Sequence, residues 1–68
     1  MPNTKEVMHG IKVYQKEIDS ATTLKELKIY RTRANYFISS NTRHNPTLAT
    51  ILKQEIDRKY KIKKKELE

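Results

Sequence analysis

The chain has 68 residues, of which 35% are apolar and 34% charged, with one Gly, two Pro, no Cys and no Trp. That length admits one small domain and excludes a two-domain enzyme or a sheet covered on both faces, and the missing cysteines exclude zinc-ribbon, thiol-redox and cysteine-nucleophile chemistry. Fifteen Lys and Arg against eight Asp and Glu give a formal net charge of +7, which directs attention to anionic partners.

The first predicted helix spans residues 4–20. Asn3 is placed to cap it, with Glu6 three residues on as in a capping box. Val7, Ile11, Tyr14, Ile18 and Ala21 recur at helical spacing, and Lys5, His9, Lys12, Lys16 and Asp19 follow the same rhythm on the other side. Gly10 interrupts good helix formers at a cost of about 1 kcal/mol relative to Ala. It marks either a close helix approach or a weak point.

Thr23-Leu24-Lys25-Glu26 is a second capping-box pattern, and it opens a helix predicted over 24–39 with the stripe Leu24, Leu27, Tyr30, Ala34, Phe37 and Ile38. The short connection makes the first two helices an antiparallel hairpin. A polar loop over 40–45 ends in Asn45-Pro46, a cap residue followed by proline at the first helical position. The third helix is predicted over 46–62 with Ala49, Leu52, Ile56 and Tyr60 on one face, passing into a basic tail over 58–66 whose apolar stripe looks too thin to resist fraying.

The expected architecture is therefore an all-α, single-domain three-helix bundle over 1–68 with a basic, partly frayed C-terminal extension. The alternative is a hairpin whose third helix packs on another chain. Roughly six or seven polar residues between helices 2 and 3, with no Gly, argue against a DNA-reading helix-turn-helix, which joins its helices by about 3–4 residues. Leu67 and Glu68 resemble the scar of a cloning site and receive no functional role here.

Few residues invite catalysis. His9 and His44 are 35 positions apart with no second ligand at helical spacing, the acids are dispersed, and one glycine cannot build a phosphate loop. The expectation is a non-enzymatic protein with no metal, cofactor or small-molecule substrate. The longest apolar run, Tyr36-Phe37-Ile38, is far below the about 20 residues of a membrane span. With no export signal or cysteine, a soluble cytoplasmic protein is expected. The preference for Lys, Ile, Asn and Tyr points to an AT-rich source such as low-GC bacteria or their phages.

Charge carries the functional reading. From Arg58 to Lys65 six of eight residues are basic, namely Arg58, Lys59, Lys61, Lys63, Lys64 and Lys65. Such a strip on a helix follows a phosphate backbone and binds in a salt-dependent way. Lys28, Arg31, Arg33 and Arg43 form a second basic group near Tyr30 and Tyr36, where arginine and tyrosine suit stacking on single-stranded bases. The competing reading makes Tyr30 core and Tyr36 partly buried, with the cations a solvated face. The expected role is a small DNA- or RNA-binding accessory or regulatory protein.

The chain is expected to form a homodimer, and the alternative role is that of a protein-binding regulator or inhibitor of phage or mobile-element type. Its contacts would be Ile29 and Tyr36 on helix 2 or Ile51 and Ile62 on helix 3, all off the main stripes. Attachment to an anionic membrane through the lysines is disfavoured, because only Tyr60, Ile62 and Leu67 are available to insert.

Overall fold

Helix α1 covers Thr4–Ser20 in the computed structural model, which describes residues 4–68. The expected cap at Asn3 lies outside the described residues. The apolar stripe closes as its spacing requires: Val7, Ile11, Ile18 and Ala21 are buried and Tyr14 is half-buried, while Lys5, His9, Lys12, Lys16 and Asp19 face solvent. The Ser20 hydroxyl donates to the Glu17 carbonyl at 2.8 Å, and the chain turns after it.

Helix α2 covers Leu24–Asn41. Thr23 is extended (φ −135°, ψ 157°) and its Oγ1 accepts the Glu26 N–H at 3.1 Å, the first half of the capping box. The return half shifts by one residue: Glu26 Oε1 accepts from the Thr22 hydroxyl at 2.6 Å and the Thr22 N–H at 3.4 Å. These hydrogen bonds from Thr22 hold the Glu26 carboxyl below its ordinary value of 4.5 against the opposing effect of partial burial, with smaller help from Tyr30 and Thr23. A depressed carboxylate contributes stability above its unfolded-state pKa and loses it as pH falls through the folded-state value. Glu26→Gln is therefore expected to lower the melting temperature at neutral pH, with the difference from wild type vanishing once the medium is more acidic than both values. Parallel melts at neutral and acidic pH read this directly.

The α2 helix runs two residues past the expected end because side chains terminate it without glycine. Thr42 is buried, and both its N–H and its hydroxyl donate to the Ile38 carbonyl, while Asn41 Nδ2 donates to the Phe37 carbonyl at 2.8 Å. The Ile38 carbonyl, one of the four that the helix end leaves open, is thereby satisfied. Only residues 42–45 remain between the helices, so the connection is shorter than the loop expected over 40–45.

Helix α3 covers Pro46–Leu67. Asn45 Oδ1 accepts the Leu48 N–H at 3.1 Å, with Pro46 in the first turn. The helix does not end at 62, and the expected fraying is not found. Lys63 and Leu67 extend the stripe of Ala49, Leu52, Ile56 and Tyr60 at the same spacing, Leu67 packs against the core, and the Lys63 side chain is only 21% exposed. The lysine stem serves as apolar surface while its ammonium reaches Glu66 at 3.6 Å.

Each helix packs against the other two, so the hairpin alternative does not describe this chain. Helices of 17, 18 and 22 residues are about 26, 27 and 33 Å long, and the molecule measures 37 × 17 × 15 Å. All three must lie along the long axis. Gln15 meets Glu55 and Asp19 meets Lys59, in each case 40 positions apart, so α1 and α3 run parallel with α2 antiparallel to both. A four-residue turn would suit a helix-turn-helix; the alignment of α2 and α3 excludes one, since that motif crosses its helices at about 90–120°.

Two core positions depart from the stripes. Leu24, in the first turn of α2, is 45% exposed, and Leu48, outside the expected stripe of α3, is buried. Gly10 proves to be a close approach. A Cβ there would lie 2.4 Å from Phe37 Cζ and 3.1–3.2 Å from its Cε atoms, and that ring also stacks at 5.0 Å on Tyr14. Gly10→Ala gains up to about 1 kcal/mol of helix propensity but incurs about 1–3 kcal/mol of overpacking. Urea denaturation should show a net loss of stability in the native background and a net gain in Phe37→Leu, where the ring is gone.

Candidate nucleic-acid interface

The antiparallel packing of α2 on α3 brings the start of one basic helix to the end of the other. Arg31 lies over the Tyr60 ring at 4.4 Å, a cation–π contact between the two helices. Beside it an open groove is lined by Arg31, Asn35, Thr50, Lys53, Gln54 and Asp57. Lys61 pairs with Asp57 at 3.1 Å on the rim of this groove. Helical spacing continues the rim to Lys64 on α3 and to Lys28 on α2. Hydrogen-bonding side chains and five cations, Lys28, Arg31, Lys53, Lys61 and Lys64, thus share the α2–α3 face.

The other predicted basic residues are distributed elsewhere. Lys59 is turned to α1, where it meets Asp19 at 2.7 Å, and Lys63 is largely covered. Arg33 sits on the α1 side of α2, 3.5 Å from Glu17 Oε2, an atom that is buried and has no hydrogen-bond partner. The two observations agree on an ion pair without hydrogen-bond geometry. Arg58 lines a separate groove with Asp19, Ile62 and Glu66. Arg43, in the turn between α2 and α3, lies at the far end of the bundle from the lysine run, so it does not join the second basic group to the first. Lys65 is exposed, and Lys64 reaches Glu68 at 3.9 Å.

The pairing matters for what these cations can do. Exposed ion pairs such as Lys61–Asp57 are worth about 0–1 kcal/mol, so a phosphate can displace the carboxylate at little cost. The tyrosines divide in a way the sequence left open. Tyr30 is half-buried, and its hydroxyl donates to Glu26 Oε2 at 3.3 Å; the adjacent carboxylate, with burial and that hydrogen bond, raises its pKa above the usual value. Tyr60 is covered by Arg31. Tyr36 is 75% exposed, not partly buried, and its ring is free to stack.

No protein-family model, curated protein or solved structure matches the chain. Among the described residues no three His, Cys, Asp or Glu side chains gather as metal ligands, and no helix is long and apolar enough to cross a membrane. His9 and His44 are both exposed.

Sequence reasoning missed Asn35, Thr50, Lys53 and Gln54 as members of this face. A wheel of α3 alone aligns Lys53, Asp57, Lys61 and Lys64 on one flank. Which flank meets α2 is set by packing of the whole bundle.

Proposed function

We propose that the protein is a small, non-enzymatic nucleic-acid-binding accessory or regulatory protein that holds a phosphate backbone against its α2–α3 face. The observation that carries this reading is the Arg31–Tyr60 contact, because it brings part of each basic group, from residues 29 positions apart in sequence, onto one surface. The net charge of +7 supplies long-range attraction to a polyanion. Lys28, Arg31, Lys53, Lys61 and Lys64 supply local contacts, and Asn35 and Gln54 can hydrogen-bond to sugar or phosphate oxygens. With little concavity and no base-reading helix end, binding depends on charge and not on sequence.

The test is fluorescence anisotropy of labelled duplex and single-stranded DNA and RNA titrated with protein at about 50 and 200 mM salt, where contacts to several phosphates lose affinity steeply. Salt-dependent binding supports the reading, and preference for single strands assigns a role to the exposed Tyr36 ring. No binding at the lower salt rejects it. Ile29 and Tyr36 would then become the leading surface, as a dock for an acidic, apolar protein segment, since both are exposed and Ile29 is ringed by Lys25, Lys28 and Arg33.

A further inference from the structure

On α3, Ile51, Glu55, Arg58 and Ile62 recur at spacings of four, three and four residues, the repeat that aligns side chains along a helix-pairing seam. This seam does not face the core. Leu52 and Ile56 occupy that side, whereas Ile51 is 49% and Ile62 is 56% exposed. Arg58 is exposed and has no ion-pair partner among the described residues, and the Glu55 carboxylate receives one long hydrogen bond, 3.5 Å from Gln15 Nε2. Beside Ile62 a groove lined by the acids Asp19 and Glu66 as well as the cations Arg58, Lys59 and Lys63 leaves the side chain open to an incoming group, whereas the lining beside Ile29 has no acid.

The order along the seam is apolar, acidic, basic, apolar. Reversed, it is its own complement. Two copies of α3 laid antiparallel, with the two-fold axis midway between Glu55 and Arg58, set Ile51 against Ile62 of the second copy and Glu55 against Arg58 of the second copy, and each pairing occurs twice. We propose that the chain forms a two-fold symmetric homodimer through this antiparallel pairing of α3. Such an interface is isologous and closes on itself. Charge selects this seam over the other exposed apolar pair. Ile29 on α2 is flanked by Lys25, Lys28 and Arg33, so self-pairing there would bring cations together. The α3 seam is short, which places the association at the weak end of specific interfaces, in the micromolar range.

The experiment is sedimentation equilibrium at about 0.15 M salt, where charges more than about 8 Å apart are screened, across micromolar concentrations. The expected wild-type mass rises from 8.1 kDa towards twice that value. Glu55→Arg or Arg58→Glu alone places like charges opposite one another and should weaken dimerisation at least about tenfold. The double variant E55R/R58E restores the complement and should dimerise as the wild type does, and an equimolar mixture of the two single variants should form a heterodimer. Arg58 has no ion-pair partner among the described residues, so R58E reports on association even if E55R disturbs folding. A wild type that stays at 8.1 kDa throughout overturns the proposal. So do single variants that dimerise undiminished, or a dimer abolished by Tyr36→Glu and not by R58E.

Discussion

Ile56→Ala is expected to lower the stability of the bundle by about 2–5 kcal/mol, the range for deleting a fully buried aliphatic side chain that leaves a cavity. Ile56 has no exposed surface. It sits at mid-length of α3 between Glu55, which bonds to Gln15 on α1, and Asp57, which lines the groove towards α2. The hole would open where all three helices meet, and neither neighbouring helix can close it without losing its other contacts. At about 0.05–0.15 kcal/mol per residue, a chain of this length has only about 3–10 kcal/mol in total. Urea denaturation followed by circular dichroism should find the unfolding midpoint lowered by roughly half, since the mid-range loss is about half of the mid-range total. Ile62→Ala, the same truncation on the same helix at an exposed position, should stay within about 0.5 kcal/mol of wild type when measured on dilute protein. Equal effects at the two sites would mean that α3 is not seated on this face.

The second large effect concerns nucleic-acid binding. Lys28, Lys61 and Lys64 all lie on the α2–α3 face and are exposed, so replacing the three with Gln removes charge without opening the core. Each lost phosphate contact reduces the slope of log affinity against log salt by about one, so the triple variant should lose about three from that slope and bind all sequences more weakly alike. The matched control is Lys5, Lys12 and Lys16 on the outer face of α1, also exposed and of the same charge. If the α2–α3 face is the contact, the α1 variant keeps nearly the full slope. Equal losses would mean that only net charge matters, and that the arrangement around Arg31 and Tyr60 has no bearing on binding.

Much of the fold was legible because it rests on local rules. Thr23 and Asn45 announce helix starts through side chains that bond to the first turn, and the spacing of Val7, Ile11 and Ile18 announces a buried face. The helix ends were harder. Thr42 reads as loop because a hydroxyl commonly faces solvent, yet here it closes α2 from a buried position. Lys63 hides the continuation of α3, since a lysine at a stripe position breaks an apolar count even though its stem covers the core as a methylene chain does. Leu67, set aside as a terminal scar, is the residue that anchors the last turn.

The candidate site divides along the same line. The basic excess, its concentration at residues 58–65 and the second cluster on α2 are properties of the chain as written. Their meeting is not. Six of the ten predicted contacts are held in ion pairs or on an aromatic ring: Lys61, Lys63 and Lys64 pair with acids three or four residues away along α3 and its cap, whereas Arg31, Arg33 and Lys59 meet a ring or an acid that a neighbouring helix presents at the same height. Lys59 goes to Asp19 and Arg33 to Glu17, whereas Lys28 has no ion-pair partner among the described residues.

By itself, then, the sequence determined three amphipathic helices, their order, the N-terminal caps of the second and third and a strongly cationic surface, because hydrophobic periodicity, capping and net charge act between residues close in the chain. Only the tertiary structure decided that Gly10 makes room for Phe37, that Arg31 and Tyr60 unite two basic segments, and that Arg43 lies apart from them. Those outcomes depend on how the helices are rotated and shifted against one another. Rotation and register are fixed by the summed fit of many side chains across interfaces, and no short stretch of sequence contains that sum.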